Sequence, residues 1–275
     1  MGRRTVRRAV VRWDGAAARS RPDTLAVEEP LELRVHGRAL TVTMRTPGDD
    51  MDLAAGFLVS EGVLHTTEDL LAMRYCAGAV VGETNTYNVL ELDLHPRVPD
   101  VHASLVRSFA TTSACGVCGK ASLDDVRTTT SYDVSGDPVL VSPALLAGLP
   151  ERLRDAQRVF DKTGGLHAAG LFTAQGELLV MREDVGRHNA VDKVVGWALR
   201  EGRLPLAGTV LLVSGRASFE LVQKAWMAGI PFLAAVSAPS SLAAELAQEA
   251  GMTLVGFLRG DTFNTYTRAD RLDLP

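Results

Sequence analysis

Cysteine is scarce in this chain of 275 residues, which contains three. Three cysteines are too few for the disulfide framework of a small secreted protein, so a reducing cytosol is favoured. Apolar runs of the roughly 18 residues that span a membrane are absent. The basic N-terminus is also not followed by the apolar segment of a signal peptide. We therefore expect a cytoplasmic protein with no membrane association.

Positive charge is also in short supply. Lysine and arginine total 29 against 33 aspartates and glutamates, for a formal net charge of −4. This disfavours nucleic acid as a partner, because its binding needs a basic face. The one dense basic cluster lies at the N-terminus, and we interpret residues 1–23 as a flexible basic tail. Its arginines are Arg3, Arg4, Arg7, Arg8 and Arg12.

Alternating apolar residues predict a β-rich N-terminal domain over residues 24–107. Leu31, Leu33 and Val35 alternate with polar residues, and the alternation resumes after His36-Gly37-Arg38, which predicts a hairpin. Two aspartates then precede an apolar stretch, which predicts an N-capped helix over 51–59.

The second half of the chain has an α/β pattern. Apolar runs of strand length alternate with amphipathic segments, which predicts parallel strands covered by helices in an α/β domain over 137–275. The predicted strands are 209–214, 231–237 and 253–257, with helices over 218–227 and 241–250 between them.

Residues 108–136 are rich in serine, threonine and aspartate, and we interpret them as a mobile, exposed loop. The loop contains Cys115-Gly116-Val117-Cys118. The thiolate is the reactive form of cysteine, and a second cysteine or the nearby Lys120 would stabilise it. Glycines leave the sulfur approachable, which suits a group that accepts a sulfur atom and passes it on.

Three other interpretations of the cysteine pair stay open. A zinc site would need Cys76 and then His167 or His188 to complete four ligands, since a second CxxC is absent. A thioredoxin-like redox pair has the same spacing. An inert structural pair is the third. Cys76 by itself is predicted to be a small core residue.

Three polar segments directly follow apolar strands, at the edge of an α/β sheet where ligands bind. Glycines allow close backbone approach, helix N-termini attract anions, and arginines bind phosphate. We predict a site for a nucleotide or another phosphorylated ligand, with simple helix capping as the alternative. The segments are Ser214-Gly215-Arg216-Ala217-Ser218, Ser237-Ala238-Pro239-Ser240-Ser241 and Arg259-Gly260-Asp261-Thr262.

A dense polar block adds candidates for this site. Asp184, Arg187 and His188 crowd one turn between a strand and a helix, and His167 follows a Gly-Gly pair. Each histidine is a candidate acid, base or ligand, or a structural hydrogen-bond donor. The HxE and PCxxC signature of zinc deaminases is absent.

In combination, these motifs resemble the FdhD/NarQ family of formate dehydrogenase accessory proteins. The likeness extends from about residue 25 to residue 268. The matching strings are 113–120 (SACGVCGK), 163–169 (TGGLHAA), 182–193 (REDVGRHNAVDK), 214–216 (SGR), 218–220 (SFE), 235–242 (AVSAPSSL) and 253–267 (TLVGFLRGDTFNTYT).

The resemblance implies a sulfur carrier that acts through a cysteine persulfide. It implies that Cys115 takes sulfur from a cysteine desulfurase, assisted by Cys118. The sulfur is passed to the molybdenum (or tungsten) bis(molybdopterin guanine dinucleotide) cofactor before that cofactor enters formate dehydrogenase. The resemblance also implies a homodimer, and a cytidine-deaminase-like fold for the C-terminal domain without the deaminase zinc ligands or another structural metal.

The resemblance also assigns the cofactor to a stretch near the C-terminus. The cofactor is a bound substrate, and a guanine nucleotide is the expected analogue. The residues assigned by the resemblance are Phe257, Leu258, Arg259, Gly260, Asp261 and Thr262. To these we add, from the polar segments, His167, Arg187, His188, Ser214, Gly215, Arg216 and Ser237.

Overall fold

A computed structural model of the chain describes residues 2–76, 80–81, 84–85, 87–101, 130 and 132–274. The fold is mixed α/β. Its helices are α1 (Asp50–Ser60), α2 (Pro143–Ala156), α3 (Phe160–Thr163), α4 (Arg187–Arg200), α5 (Phe219–Met227) and α6 (Ser241–Glu249). Its strands are β1 (Thr5–Trp13), β2 (Ala18–Ala26), β3 (Glu29–Val35), β4 (Arg38–Arg45), β5 (Leu70–Cys76), β6 (Val80–Val81), β7 (Thr84–Asn85), β8 (Val89–Leu94), β9 (His167–Thr173), β10 (Leu178–Asp184), β11 (Thr209–Val213), β12 (Phe232–Ala235), β13 (Thr253–Arg259) and β14 (Thr262–Thr267).

The larger sheet has six strands in the order β10-β9-β11-β12-β13-β14. Its centre confirms the predicted βαβαβ alternation, because β11, β12 and β13 are parallel and are joined through α5 and α6. The sheet as a whole is mixed, however, since β9, β10 and β14 run antiparallel to their neighbours. Whether this half is cytidine-deaminase-like stays a prediction.

The smaller sheet has the order β4-β3-β8-β5 and contains the predicted hairpin. Its turn residues His36 and Gly37 both have positive φ angles, of 50° and 75°. Leu31, Leu33 and Val35 are buried, as their alternation predicts. The predicted helix is confirmed as α1, but the Asp49 side chain makes no capping hydrogen bond and instead accepts one from Arg4.

Helices α1 and α4 cross with their backbones almost touching. A Cβ atom added to Gly56 would overlap the carbonyl of Asp192, and one added to Gly196 would overlap the carbonyl of Asp52. Only glycine at both positions permits this approach. One continuous cluster of buried apolar residues extends from the four-stranded sheet through α1 and α4 to the six-stranded sheet. Residues of both predicted domains contribute to this cluster, and the predicted domain boundaries stay a prediction.

Buried ion pairs fix the orientation of the crossing. Asp52 on α1 accepts hydrogen bonds from Arg182 on β10 and from Arg200 on α4. Asp192 on α4 pairs with Lys224 on α5, at 2.8 Å between Nζ and Oδ1. Removing one partner of such a pair leaves a buried charge unpaired, which is strongly destabilising. The Asp52 pairs thus connect α1 to β10 and α4, and the Asp192 pair connects α4 to α5.

The N-terminal segment corrects one prediction. Residues 1–23 were predicted to form a flexible tail, whereas β1 and β2 form a regular antiparallel hairpin that pairs Thr5 with Ala26 and Trp13 with Ala18. We call this hairpin, residues 5–26, the arm. Sequence reasoning also missed α2, which contains Pro150, and β14.

Of the three cysteines, Cys76 lies among the described residues. Cys76 ends β5 and is partly exposed, so it is not the core residue that was predicted. Cys115 and Cys118 lie outside the described residues, as does most of the predicted loop over 108–136. Among the described residues, no helix has both the length and the apolar character needed to span a membrane.

The helix crossing gives a stability prediction. Gly56→Ala should lower the free energy of unfolding by roughly 3 kcal/mol or more, because the added methyl group forces two backbones apart. Urea denaturation measures this loss. Gly148→Ala in α2 is the matched control: its added Cβ would meet nothing within 4 Å, so the better helix former should leave stability unchanged or raise it. Equal stability of both variants would show that the crossing is not tight.

Candidate functional site

The candidate site lies where β11, β12 and β13 end and β9 begins. Ser214 connects the end of β11 to the start of β9. Its Oγ accepts a hydrogen bond from the Ala168 N–H at 2.9 Å, and its own N–H donates to the Ala168 carbonyl at 2.9 Å. Gly215 lies against His167, since an added Cβ would be 3.4 Å from its Nδ1. The carbonyl of Gly215 in turn accepts from the Ser237 N–H at 3.3 Å. Four predicted site residues are therefore neighbours.

The polar block supplies the wall of the site through the first turn of α4. His188 Nε2 lies 2.6 Å from Glu220 Oε2 and 3.3 Å from Ser218 Oγ, at the start of α5. Ser218 therefore contacts the histidine and does not cap its own helix. The carboxylate of Glu220 orients the imidazole through this contact. Glu220 is a residue that sequence reasoning missed.

Arg187 has an unsatisfied polar atom. Its Nε is buried and makes no hydrogen bond to any described residue. Such buried unpaired donors are rare and costly, and each calls for an explanation. A bound anion would supply the missing acceptor.

His167 is half-buried and lies near Arg187 and His188. Burial lowers the pKa of His167, and the neighbouring charges of Arg187 and His188 lower it further, although Asp184 opposes them. His167 is therefore neutral near pH 7 and accepts or donates a hydrogen bond at little cost. An anion bound beside it would raise its pKa again.

Two acidic residues of the polar block have structural roles. Asp184 is fully buried, pairs with Lys193 at 2.7 Å and accepts from the N–H groups of Thr46 and Gly186. The Glu183 carboxylate accepts from the N–H groups of Val159 and Phe160 and so caps α3. Both carboxylates therefore stabilise the fold. Arg187 and His188 are the charged or titratable side chains of the polar block that face the site.

The stretch near the C-terminus joins the site through backbone contacts. Phe257 has a φ angle of +55°, which is strained for a bulky residue. Its N–H donates to the Ser237 carbonyl at 3.2 Å, and its side chain is 43% exposed. Arg259 is exposed and its Nε donates to the Val236 carbonyl. Leu258 is fully buried in the core, so its side chain points away from the surface.

One geometric prediction for this stretch is wrong. Residues 259–262 form the turn of the β13–β14 hairpin, with Gly260 at φ 51°, so no helix N-terminus follows β13. Thr262 Oγ1 donates to the Arg259 carbonyl, and Asp261 is exposed. The capping alternative holds at α6, where the Ser240 side chain accepts from the Ala243 N–H. Arg216 is exposed beside Gly215.

The arrangement is suited to an anionic ligand of some length. His167, Gly215 and Arg187 form a half-buried, electropositive end, while Phe257 and Arg259 offer an aromatic face and an exposed guanidinium a short way along the same edge. Guanidinium groups bind phosphate oxygens well, and exposed aromatic rings stack on bases. Residues of these kinds fit the predicted site for a phosphorylated ligand, which stays a prediction.

The fold and the sequence both have relatives. A crystal structure of a formate dehydrogenase accessory protein from Desulfotalea psychrophila has a similar fold, with a TM-score of 0.72 over 98% of this chain and 99% of that chain, at 23% identity. The model of the FdhD/NarQ family matches residues 26–273. The chain therefore belongs to the FdhD/NarQ family.

Closer relatives match over their whole length. A protein named sulfur carrier protein FdhD from Streptomyces coelicolor is 63% identical over 100% of this chain and 98% of its own. Proteins of the same name from Mycolicibacterium paratuberculosis and Anaeromyxobacter dehalogenans are 60% and 48% identical, over 98% and 97% of this chain. The family that the sequence motifs predicted is thus confirmed.

The lowered pKa of His167 gives a pH prediction. In the unfolded chain this histidine takes up a proton near pH 6.5, whereas in the folded chain it stays neutral to a lower pH. Below pH 6.5 the unfolded state therefore binds more protons than the folded state. The part of the free energy of unfolding that this histidine contributes above pH 6.5 is lost as the pH falls through the pKa of the folded state. Urea denaturation from pH 7.5 to 5 should show a smaller loss for His167→Gln than for the wild type. Parallel curves would contradict the lowered pKa of His167.

Proposed function

We propose that this protein is a cytoplasmic sulfur carrier that supports the maturation of a formate dehydrogenase. The observation that carries the proposal is its 63% identity, over its full length, to a protein named as a sulfur carrier. Cys115-Gly116-Val117-Cys118 provides the chemistry that such a role requires, and the electropositive edge of the six-stranded sheet provides a place for an anionic cargo.

In this proposal Cys115 is the sulfur acceptor. Its thiolate attacks the outer sulfur of a persulfide on a cysteine desulfurase. A new S–S bond forms on Cys115, and the donor cysteine leaves as a thiol. Cys118 assists by stabilising the thiolate or by resolving the persulfide. The protein is then a sulfurtransferase in which the persulfide is the intermediate.

The proposed recipient of the sulfur is the molybdenum bis(molybdopterin guanine dinucleotide) cofactor, bound as a substrate. Its pyrophosphates match the unsatisfied Nε of Arg187 and the neighbouring Gly215 and His167. Its guanine bases match the exposed ring of Phe257. Arg259 and the 259–262 turn would hold the outer phosphates. The loaded cofactor then passes to the apo form of formate dehydrogenase.

The test of the sulfur step is intact mass. Wild-type protein, Cys115→Ala and Cys118→Ala are incubated with a cysteine desulfurase and cysteine, with and without a reducing agent. Wild type should gain one or more sulfur atoms that reduction removes. Cys115→Ala should gain none, because the acceptor thiolate is missing.

Two other outcomes would decide against this proposal. If no variant gains sulfur and wild type forms only an internal disulfide, the protein is a thiol–disulfide oxidoreductase. If stoichiometric zinc co-purifies and chelation unfolds the chain, the protein is a non-catalytic cofactor-binding chaperone whose cysteine pair is a structural metal clip.

Nucleotide binding tests the cargo site separately. Arg259→Ala should weaken GDP binding about tenfold, because it removes one charged phosphate contact, while sulfur loading of Cys115 stays intact. Isothermal titration calorimetry measures the affinity. Arg158→Ala removes an equally exposed arginine elsewhere and should bind GDP like wild type. Unchanged affinity of Arg259→Ala would remove this residue from the site.

A further inference from the structure

The ring of His188 is held at one of its two nitrogens. Its Nε2 lies 2.6 Å from Oε2 of Glu220 and 3.3 Å from Oγ of Ser218, both at the start of α5. An ionised carboxylate accepts hydrogen bonds and donates none. The hydrogen of this contact is therefore on Nε2, which assigns the neutral ring the tautomer that is protonated at Nε2.

The other nitrogen of His188, Nδ1, is left for a ligand. Among the residues that the structure describes, none hydrogen-bonds to Nδ1. The side chain of His188 is 16% exposed, so a ligand can reach the ring. Nδ1 accepts a hydrogen bond when the ring is neutral in this tautomer, and donates one when the ring carries a second proton.

Glu220 is held in place by contacts of its own segment. The N–H of Ala217 donates to the Ala238 carbonyl, and the Ala217 carbonyl accepts from the Ser240 N–H. The residues directly before and after Glu220 are buried in the hydrophobic core. The carboxylate therefore meets His188 from a fixed backbone.

A second ion pair joins the same two helices at a deeper level. Asp192 lies one turn after His188 on α4, and it pairs with Lys224, one turn after Glu220 on α5. The side chains of this second pair are more deeply buried than those of His188 and Glu220. Because the inner pair already connects α4 to α5, the fold should tolerate the loss of the outer contact.

The other charged groups of the site favour an anion next to His188. Arg187 precedes it on α4 and has the unsatisfied buried Nε. The positive charges of Arg187 and His188 both lower the pKa of His167 on β9, so the three side chains are neighbours. Asp184 on β10 is fully buried and already paired with a lysine. Of these acidic groups, Glu220 is the one in contact with the His188 ring.

We propose that Glu220 is a positioning residue that holds His188 through Nε2, so that Nδ1 binds a phosphate oxygen of the cargo and takes up a proton from solvent. A deprotonated phosphate oxygen only accepts hydrogen bonds, so Nδ1 must carry a hydrogen to bind it. Because Nε2 keeps its own hydrogen for Glu220, the bound ring is doubly protonated and positively charged. Cargo binding is thereby coupled to pH, and the affinity should rise as the pH falls. This inference rests on the cargo site of the proposed function.

Calorimetry of GDP binding to the full chain tests this role. At about pH 7.5 an ordinary histidine is mostly neutral, and titrations in two buffers of different ionisation enthalpy give the number of protons taken up. Wild type should take up protons. Glu220→Gln should take up fewer and bind GDP about fivefold more weakly, because an amide can also donate to Nε2, so that a neutral ring with its hydrogen on Nδ1 meets the phosphate. Glu245→Gln changes an exposed glutamate of α6 and should behave like wild type.

His188→Gln separates this role from a purely structural contact between the two helices. Glutamine can reach Glu220 as Nε2 does, but it has nothing at the position of Nδ1. This variant should therefore keep its melting temperature and lose affinity for GDP together with its share of the proton uptake. His167→Gln measures the protons that His167 takes up, so that the remainder is assigned to His188. Long-range ¹H–¹⁵N NMR should show the Nε2-protonated tautomer of His188 in free wild type and a shift of Nδ1 when GDP is added.

Several results would overturn the positioning role. One is equal proton uptake by wild type and Glu220→Gln, and another is wild-type affinity in His188→Gln. If Glu220→Gln unfolds, His188→Gln and the NMR signal of Nδ1 decide the same question. A wild type that binds no GDP would overturn the cargo site and this inference together, while sulfur loading of Cys115 would still test the carrier itself.

Discussion

The crossing of α1 and α4 determines much of this molecule. Gly56 and Gly196 let two backbones approach to a distance that no side chain would permit, and Asp52 and Asp192 are then held by arginine and lysine on the neighbouring elements. The first turn of helix α4 forms part of the candidate site. The position of Arg187 and His188 therefore depends on a contact made two and a half turns further along the same helix.

The site itself combines rigid backbone with a few exposed cations. Ser214 and Ser237 are tied into the sheet through hydrogen bonds, and Asp184 is buried against Lys193. What is left for a ligand is an unsatisfied guanidinium nitrogen, a neutral histidine and a strained phenylalanine. In the proposed function, this site would bind an anionic cargo without large movement of the chain.

Local sequence patterns predicted the elements that have a clear period. The βαβαβ core followed from apolar runs such as 209–214, and the hairpin of β3 and β4 followed from strict alternation around Gly37. The arm was missed because its arginines and exposed faces resemble a solvated tail, and α2 because Pro143 and Pro150 suggest turns. The left-handed Phe257, the Arg187–His167 proximity and the glycine crossing depend on contacts between distant segments, and a local pattern contains no record of them. The cysteine pair was predicted from chemistry and family resemblance, and its role stays a prediction.

The central claim is that the charged sheet edge and Cys115 serve one sulfur delivery. The most direct test is to load the protein with ³⁵S persulfide and to follow the label into formate dehydrogenase that carries its cofactor in an unsulfurated form. Wild type should transfer the label to the cofactor and activate formate oxidation. Arg187→Gln should load the same amount of label and transfer little of it. Equal transfer by Arg187→Gln, or no transfer by wild type, would contradict the account.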